Sequence, residues 1–269
     1  MAAGRRLRSG ATLRLALCAW TALGLGACMV AGRGLPPPPV HPNGLALWRI
    51  VHDLCVPGEQ ARGRPSPCAA VSLTEGVARG SALLKDRVGV GQHLLIPTAR
   101  ITGIEDPALL APDAPNFFAR AWAARGYVEG RLVERASPPP LSIAVNSQYG
   151  RSQDQLHLHI DCLRRDVAAA LRATSPSLGD GWSRRRLVLR GRAYSIRWLA
   201  ADKLATTAPF ALLAKEMPGA RAHMAAWTIA LTSGATPDGS PGFWLLADHV
   251  DLRSGDLASS EELQDHQCR

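Results

Sequence analysis

The sequence contains few lysines, few aromatic side chains and no internal repeat. Lysine occurs only at Lys85, Lys203 and Lys215, and aromatic residues make up 5% of the 269 residues. The lack of a repeat of roughly 20–50 residues excludes solenoids and propellers. The lack of a Gly-x-y period excludes collagen. Because 46% of the residues are hydrophobic, the chain can bury a core, which excludes a disordered protein as well.

Several motifs of metal, nucleotide and nucleic-acid proteins are also absent. There is no Cys-x-x-Cys pair, no Gly-x-x-x-x-Gly-Lys loop and no Gly-rich dinucleotide turn, so neither a zinc ribbon nor a P-loop nor a Rossmann domain is expected. The formal net charge of +9 fits an anionic partner such as a phospholipid or a nucleotide. Nucleic acid is not expected as a partner, because helix-turn-helix and aromatic RNA-binding motifs are missing.

One uncharged run near the amino terminus is long enough to reach into a membrane. It covers residues 15–32 and follows four arginines within residues 1–14. As a helix it would span about 27 Å, near the lower limit for a bilayer, and a positive flank before an apolar core is typical of an export signal. Three outcomes stay open: an uncleaved anchor, a cleaved signal, and lipidation of Cys28 in the Leu-Gly-Ala-Cys sequence of residues 25–28.

A run of four prolines, Pro36 to Pro39, follows the apolar run. Such a run favours an extended polyproline spacer that holds the body off the membrane. The sequence therefore predicts three parts: a signal or anchor segment at residues 1–33, a spacer at residues 34–42, and a folded domain at residues 43–269.

The hydrophobic pattern of the body predicts helices and strands that do not alternate strictly. The predicted helices cover residues 44–55, 116–136, 166–173 and 210–215. The predicted strands cover residues 68–73, 77–84, 92–97, 141–145, 155–162, 187–189, 194–198, 227–231 and 243–247. Strands joined by hairpins, with helices interspersed, favour an α+β fold with an antiparallel sheet and flanking helices.

Four cysteines remain for the body after the two in the export segment are set aside. An even number in an exported protein predicts disulfide bonds. Cys55 and Cys68 flank a short, turn-rich segment, so we pair them. That leaves Cys162 with Cys268, a bridge that would tie the carboxyl end to the body. The alternative is buried free thiols.

One segment, residues 146–162, carries the candidate site. Gln155, His157 and His159 alternate with apolar residues there, and residues two apart in a strand point to the same face. Two neighbouring imidazoles suit nucleophilic attack on phosphorus, where one ring attacks and the other donates a hydrogen bond. They also suit a metal site or a structural pair.

The residues just before the two histidines favour phosphate chemistry. Asn146, Arg151 and Ser152 add an amide, a guanidinium and a hydroxyl group, which are groups that bind phosphate. If the two histidines attack phosphorus, the reaction needs charge stabilisation more than a metal, so on that interpretation no metal and no cofactor is expected. Six arginines between Arg184 and Arg197 form a second basic cluster. A run of this kind usually lies on a solvent-exposed face. If it has a function, the one we expect is contact with anionic lipid head groups.

The run Ser-Gln-Asp-Gln-Leu-His-Leu-His-Ile at residues 152–160 resembles the motif of the histidine triad superfamily, His-φ-His-φ-His-φ. The strand Gln-His-Leu-Leu-Ile-Pro at residues 92–97 is similar to the strand that precedes the motif in that superfamily. The wider run 146–160, the block 47–55 with residues 67–68, and the tail 262–268 resemble one branch, the CDP-diacylglycerol pyrophosphatases. The resemblance covers residues 43–269 and implies a histidine-triad-like sheet.

The resemblance also implies roles for the site residues. His157 would be the nucleophile and His159 would contact the transferred phosphate. Ser152 and Asn146 would bind phosphate oxygens, and Arg151 is a further candidate for such a contact. Gln155, which we also count among the candidate substrate- or phosphate-binding residues, stands where the superfamily has its first histidine, which positions the nucleophile through a backbone contact.

The implied activity is hydrolysis of CDP-diacylglycerol to CMP and phosphatidate through a nucleotidyl-histidine intermediate. Its partners would be that substrate and a phospholipid surface, with the body on the periplasmic side of a bacterial inner membrane, held by a single anchor or by a lipid on Cys28. The alternative is a non-enzymatic envelope lipoprotein that binds a metal or a lipid at its His-x-His site.

Overall fold

The computed structural model describes residues 35–132, 139–174 and 181–269. The strands of this part are β1 (Ala70–Ser72), β2 (Ser81–Lys85), β3 (His93–Pro97), β4 (Leu141–Val145), β5 (Leu158–Cys162), β6 (Leu187–Leu189), β7 (Arg192–Ala200), β8 (Trp227–Ala235) and β9 (Pro241–His249). They form one sheet in the order β1-β2-β3-β5-β4-β8-β9-β7-β6. Every neighbouring pair is antiparallel.

The helices are short and flank this sheet. They are α1 (Ala46–Arg49), α2 (Val56–Arg62), α3 (Phe117–Ala123), α4 (Gly126–Glu129), α5 (Arg165–Arg172) and α6 (Pro209–Glu216), with a π-helical segment Ile50–Cys55 between α1 and α2. Single 3₁₀ turns cover Pro107–Leu110, Ala201–Lys203, Ala220–Ala222, Met224–Ala226 and Ser260–Leu263. The predicted α+β fold with an antiparallel sheet is confirmed. The closer likeness to histidine triad proteins stays a prediction.

One face of the sheet carries the main core. Leu158 and Ile160 of β5 point to this face and pack in one cluster with aromatic side chains of α3 and α6, such as Phe118 and Phe210. Strand side chains alternate between faces, so His159 points to the opposite face. On that face α1 and the π-helical segment cover β2 and β3. Helix α5 covers β4, β8, β9 and β7, which are neighbours in the sheet. The histidine therefore lies between two helical covers.

Two predicted helices differ from the structure at their ends. The helix predicted to end at residue 55 continues to Arg62, because the π-helical segment Ile50–Cys55 runs directly into α2, which carries Pro57 in its first turn. Gly63 then ends it with a φ of 60°. The long helix predicted over residues 116–136 breaks into α3 and α4 at Ala124 and Arg125, just before Gly126, and residues 133–136 lie outside the described part.

Both predicted disulfides are present. Cys55 is bonded to Cys68, which ties the amino-terminal helical segment to the sheet edge at β1. Cys162 is bonded to Cys268, which ties the last residues of the chain to the end of β5. The sulfur atoms of this second bridge pack in the main core cluster with Leu158 and Ile160, while His266 and Glu261 of the carboxyl-terminal segment reach the opposite face, where they contact Asp161 and His159.

The predicted export segment, residues 1–33, lies outside the described residues, and the assignment of residues 34–42 as a spacer stays a prediction. Within residues 35–132, 139–174 and 181–269, we find no helix with the length and apolar character that a membrane crossing requires.

Candidate active site

The two histidines of the His-x-His sequence lie side by side. Their ring centroids are 4.8 Å apart and the ring planes meet at 63°. His159 belongs to β5, while His157 precedes the strand. Both side chains are almost fully buried, with 8% of His157 and 6% of His159 exposed. Water is thus largely excluded from the two rings, which strengthens hydrogen bonds and charges in the site.

Strand β5 is shorter than predicted, because the chain before it is held by a neighbouring loop. The N–H group of Leu156 donates to the carbonyl oxygen of Ile101. The side chain of Gln155 is turned into the protein interior. It is fully buried, and its amide donates to the carbonyl oxygens of Pro97 and Ala99 at 3.0 and 2.9 Å. Gln155 therefore anchors the segment that carries His157 to the loop after β3.

The backbone of Gln155 decides which nitrogen of His157 is available. Nδ1 of His157 lies 2.7 Å from the carbonyl oxygen of Gln155, and a carbonyl oxygen can only accept, so Nδ1 carries the proton. Burial, together with the nearby His159, lowers the pKa of His157 to about 3. The ring is therefore neutral, and its lone pair is on Nε2. This is the state that a nucleophilic histidine needs.

The buried, neutral state of His157 makes the stability of the protein depend on pH. Its pKa falls from 6.5 to about 3 on folding, so below pH 6.5 the unfolded chain binds a proton at this position that the folded chain does not bind. The contribution is fully present above pH 6.5 and is lost progressively down to about pH 3. We expect the melting temperature of the wild type to fall more steeply with acidification than that of a His157→Gln variant.

Thermal melting of both proteins between about pH 8 and pH 4 would measure this difference. A His52→Gln variant is the matched control, because the His52 side chain is 57% exposed. Parallel curves for all three proteins would show that His157 does not become protonated on unfolding in the way its burial implies.

His159 is held by side chains from two other parts of the chain. Its Nδ1 lies 2.8 Å from Nε2 of Gln92 and 3.3 Å from Oε1 of Glu261. Burial lowers the pKa of His159 although Glu261 opposes this. Its other nitrogen, Nε2, is buried and has no hydrogen-bond partner among the described residues. A buried nitrogen without a partner is costly, and it is therefore the group from which we expect a contact to substrate.

Glu261 is the centre of the polar contacts beneath His159. Its Oε2 accepts from Nδ2 of Asn146 at 2.9 Å, its Oε1 accepts from Gln92 at 3.2 Å, and its N–H group donates to Oδ1 of Asn146 at 3.2 Å. Burial raises the pKa of Glu261, but His159 and these two amides outweigh this effect and hold the pKa below its ordinary value. The carboxylate is therefore ionised, and the predicted phosphate ligand Asn146 has its side chain bound to it.

A third histidine, His266 of the carboxyl-terminal segment, completes this network. Nδ1 of His266 lies 2.7 Å from Oδ2 of Asp161, and Nε2 of His266 lies 3.6 Å from Oε1 of Glu261. The hydrogen bond to Asp161 raises the pKa of His266. Sequence reasoning missed Gln92, Glu261 and His266 as site residues. No spacing links them to His157, and only the resemblance of residues 92–97 and 262–268 to known blocks pointed towards two of the three.

Two comparisons with known proteins show the family of this chain. The family model described as "CDP-diacylglycerol pyrophosphatase" matches residues 42–269. A relative from Yersinia pestis named "CDP-diacylglycerol pyrophosphatase" is 44% identical over 227 residues, which is 84% of this chain and 85% of the relative. The chain belongs to the CDP-diacylglycerol pyrophosphatase family. It is accordingly a hydrolase, as the resemblance of its motifs predicted.

Arg151 and Ser152, two further predicted phosphate ligands, differ in their surroundings. The guanidinium of Arg151 is buried and donates to both carboxylate oxygens of Glu105, at 2.6 and 2.8 Å, and to Asp154 at 3.1 Å. It lies so close over Gly103 that a Cβ atom there would come within 1.7 Å of it. Arg151 thus holds the loop before the histidines in shape, whereas Ser152 is exposed and accessible to a ligand.

The basic cluster between Arg184 and Arg197 is largely neutralised by acids of the body. Arg186 pairs with buried Asp248, and Arg197 pairs with Glu216 at 2.8 Å. Two more of its arginines pair with acidic side chains, Arg190 with Asp166 and Arg192 with Asp256. Arg184 and Arg185 are exposed and have no ion pair within the described residues. The cluster is therefore a weaker candidate for head-group binding than its sequence indicates.

Proposed function

We propose that this member of the CDP-diacylglycerol pyrophosphatase family hydrolyses CDP-diacylglycerol to CMP and phosphatidate, with His157 as the nucleophile. The observation that carries the proposal is the backbone bond from Nδ1 of His157 to Gln155, which leaves the lone pair on Nε2. Family membership and the named relative support the substrate.

In the first step, Nε2 of His157 would attack the phosphorus on the cytidine side. A P–N bond forms while the bond from that phosphorus to the bridging oxygen breaks. The bridging oxygen keeps the electron pair, so phosphatidate leaves as a phosphomonoester anion, a weak base that needs no strong general acid. In the second step water attacks the same phosphorus and the P–N bond breaks. CMP is released, the water proton goes to solvent, and His157 is regenerated.

His159 would stabilise the negative charge on the phosphoryl oxygens in both steps. Its Nε2 is buried and unpartnered within the described residues, and the two rings are adjacent. Preorganised donors in a buried site act strongly on developing charge. Ser152 would donate to a phosphate oxygen from its exposed position. Asn146, Gln155 and Arg151 would act through the protein groups that they bind.

Hydrolysis in water enriched in ¹⁸O tests the proposal with the purified full-length protein and CDP-diacylglycerol in detergent. Attack at the cytidine-side phosphorus followed by hydrolysis of the P–N bond puts the heavy oxygen into CMP. We therefore expect labelled CMP and unlabelled phosphatidate by mass spectrometry. Label in phosphatidate would show that the other phosphorus is attacked, and no release of CMP would refute the activity.

The alternative, a non-enzymatic metal- or lipid-binding lipoprotein, is not favoured. Within the described part of the chain, one group of three residues with metal-ligating atoms close together was found, Asp161, Cys162 and Cys268. Its two cysteines are bonded to each other, and disulfide sulfurs are not thiolate ligands. Neither His157 nor His159 belongs to that group.

For location we propose the periplasmic side of a bacterial inner membrane, with residues 1–33 as the anchor or as the precursor of a lipid on Cys28. The two disulfides support an oxidising compartment, and a lipid substrate supports placement at a bilayer surface. Protease added to intact spheroplasts should digest the body of the protein. A body that is cut only after the spheroplasts are lysed would place it in the cytoplasm instead.

A further inference from the structure

The neighbour of His159 that lies closest to its Nδ1 is an amide, not a carboxylate. Gln92 is fully buried just before β3. Its Nε2 lies 2.8 Å from Nδ1 of His159 and 3.2 Å from Oε1 of Glu261. The direct distance between His159 and Glu261, 3.3 Å, is longer than the bond to Gln92. The amide therefore stands between the imidazole and the acid as a shared partner.

The charge of Glu261 decides how this amide is oriented. An amide NH₂ group has two hydrogens, one for each of two acceptors, and the ionised carboxylate accepts one of them. The reverse orientation would place the amide oxygen 3.2 Å from a carboxylate oxygen, which is repulsive. Asn146 uses its own NH₂ group on the other carboxylate oxygen, so both oxygens of Glu261 select donors. The second hydrogen of Gln92 consequently points at Nδ1 of His159.

We propose that Gln92 is a positioning residue that holds His159 as the neutral tautomer with its proton on Nε2. Because Nδ1 accepts from Gln92, it carries no proton of its own, and the buried, unpartnered Nε2 becomes a donor. His157 is in the opposite state, since the carbonyl of Gln155 takes its Nδ1 proton and leaves Nε2 with the lone pair. One backbone acceptor and one side-chain donor thus set two adjacent histidines in opposite tautomers.

The consequence for the reaction rests on the proposed function. A neutral His159 with Nε2–H can donate to a phosphoryl oxygen without placing a positive charge beside the nucleophile. The other tautomer would direct a lone pair at the anionic phosphate, which is repulsive. Gln92 would therefore act on turnover through His159, without touching the substrate itself.

Nitrogen NMR of the imidazole rings measures the tautomer directly. The full-length protein, labelled with ¹⁵N at histidine and held in detergent micelles, is compared with a His159→Gln variant to assign the signals. Near neutral pH we expect His159 with the proton on Nε2 and His157 with the proton on Nδ1. A Gln92→Leu variant should move the proton of His159 to Nδ1, since Glu261 is then the acceptor within reach. The control is Gln264→Leu, which removes a buried amide that donates to the carbonyl oxygen of His159 and not to its ring.

Turnover provides the second measurement. We expect Gln92→Leu to lower kcat by about 100-fold with little change in KM, as is typical when one preorganised donor is lost. The control variant Gln264→Leu should keep the His159 tautomer and most of kcat. A protonated Nδ1 on His159 in the wild type would overturn the inference, and so would an unchanged tautomer in Gln92→Leu. The wild-type measurement needs no substrate, so its result is independent of whether His157 is the nucleophile.

Discussion

A His157→Ala variant should lose CDP-diacylglycerol hydrolysis by about four orders of magnitude or more in kcat. Removal of a nucleophile costs this much in other hydrolases that work through a covalent intermediate. The reason in this molecule is geometric, because the bond from Nδ1 to the Gln155 carbonyl leaves the lone pair of His157 on Nε2, in a ring that lies 4.8 Å from that of His159. His159→Ala should also be damaging but should keep a residual rate, because it removes charge stabilisation and leaves the covalent route open.

Rapid quenching with substrate labelled in the cytidine moiety measures the intermediate itself. The wild type should retain acid-labile nucleotide on the protein, and His157→Ala should retain none. His52→Ala is the matched control for loss of an imidazole, since its side chain is 57% exposed, and it should react as the wild type does. Near-normal turnover by His157→Ala, with an unchanged melting temperature, would show that another group attacks phosphorus.

Removal of the disulfide between Cys162 and Cys268 should destabilise the protein and inactivate it. The bridge closes a loop with a sequence separation of 106 residues, for which the chain-entropy model predicts about 4–5 kcal/mol of stability. The carboxyl-terminal segment that it ties down carries Glu261 and His266, and Glu261 holds both Asn146 and Gln92. A Cys162→Ser/Cys268→Ser variant should therefore lose activity even at temperatures where it remains folded.

The other disulfide provides the matched control. Cys55 and Cys68 are 13 residues apart, so their replacement by serine should cost about 3 kcal/mol and leave the carboxyl-terminal segment in place. Denaturant unfolding and CMP release are measured for both double variants. Equal losses of activity, once both proteins are compared at the same fraction folded, would show that the tail has no specific role in the site.

Some strands were predicted with their correct bounds, because the hydrophobic residues that they bury are neighbours in the sequence. Residues 141–145 and 187–189 were predicted as strands and are β4 and β6, because continuous apolar or alternating residues bury one or both faces of a strand wherever it pairs. The helix ends were predicted less well. The π-helical segment before Pro57 and the break at Ala124 and Arg125 are local departures from a regular α-helix, which a pattern of hydrophobic residues does not show.

The residues of the site also fall into two groups, those that the sequence could indicate and those that it could not. His157, His159 and Ser152 could be singled out because the groups of a catalytic strand lie close together in the sequence. Glu261 and Gln92 could not, since they are 102 residues after and 67 residues before His159 and meet it only through the sheet order and the bridge to Cys268. The chemical role of Gln155 also changed, because its side chain turned out to bind the backbone after β3.

The sequence by itself determined the class of fold, the family resemblance, the cysteine pairs and the position of the two imidazoles, because each of these depends on composition or on neighbours along the chain. Only the tertiary structure decided the hydrogen-bond partners of each ring. A carbonyl oxygen behind His157 and an amide beside His159 come from folding distant segments against β5. The reactive state of an imidazole depends on which of its nitrogens carries the proton, and that is a property of the neighbours in space.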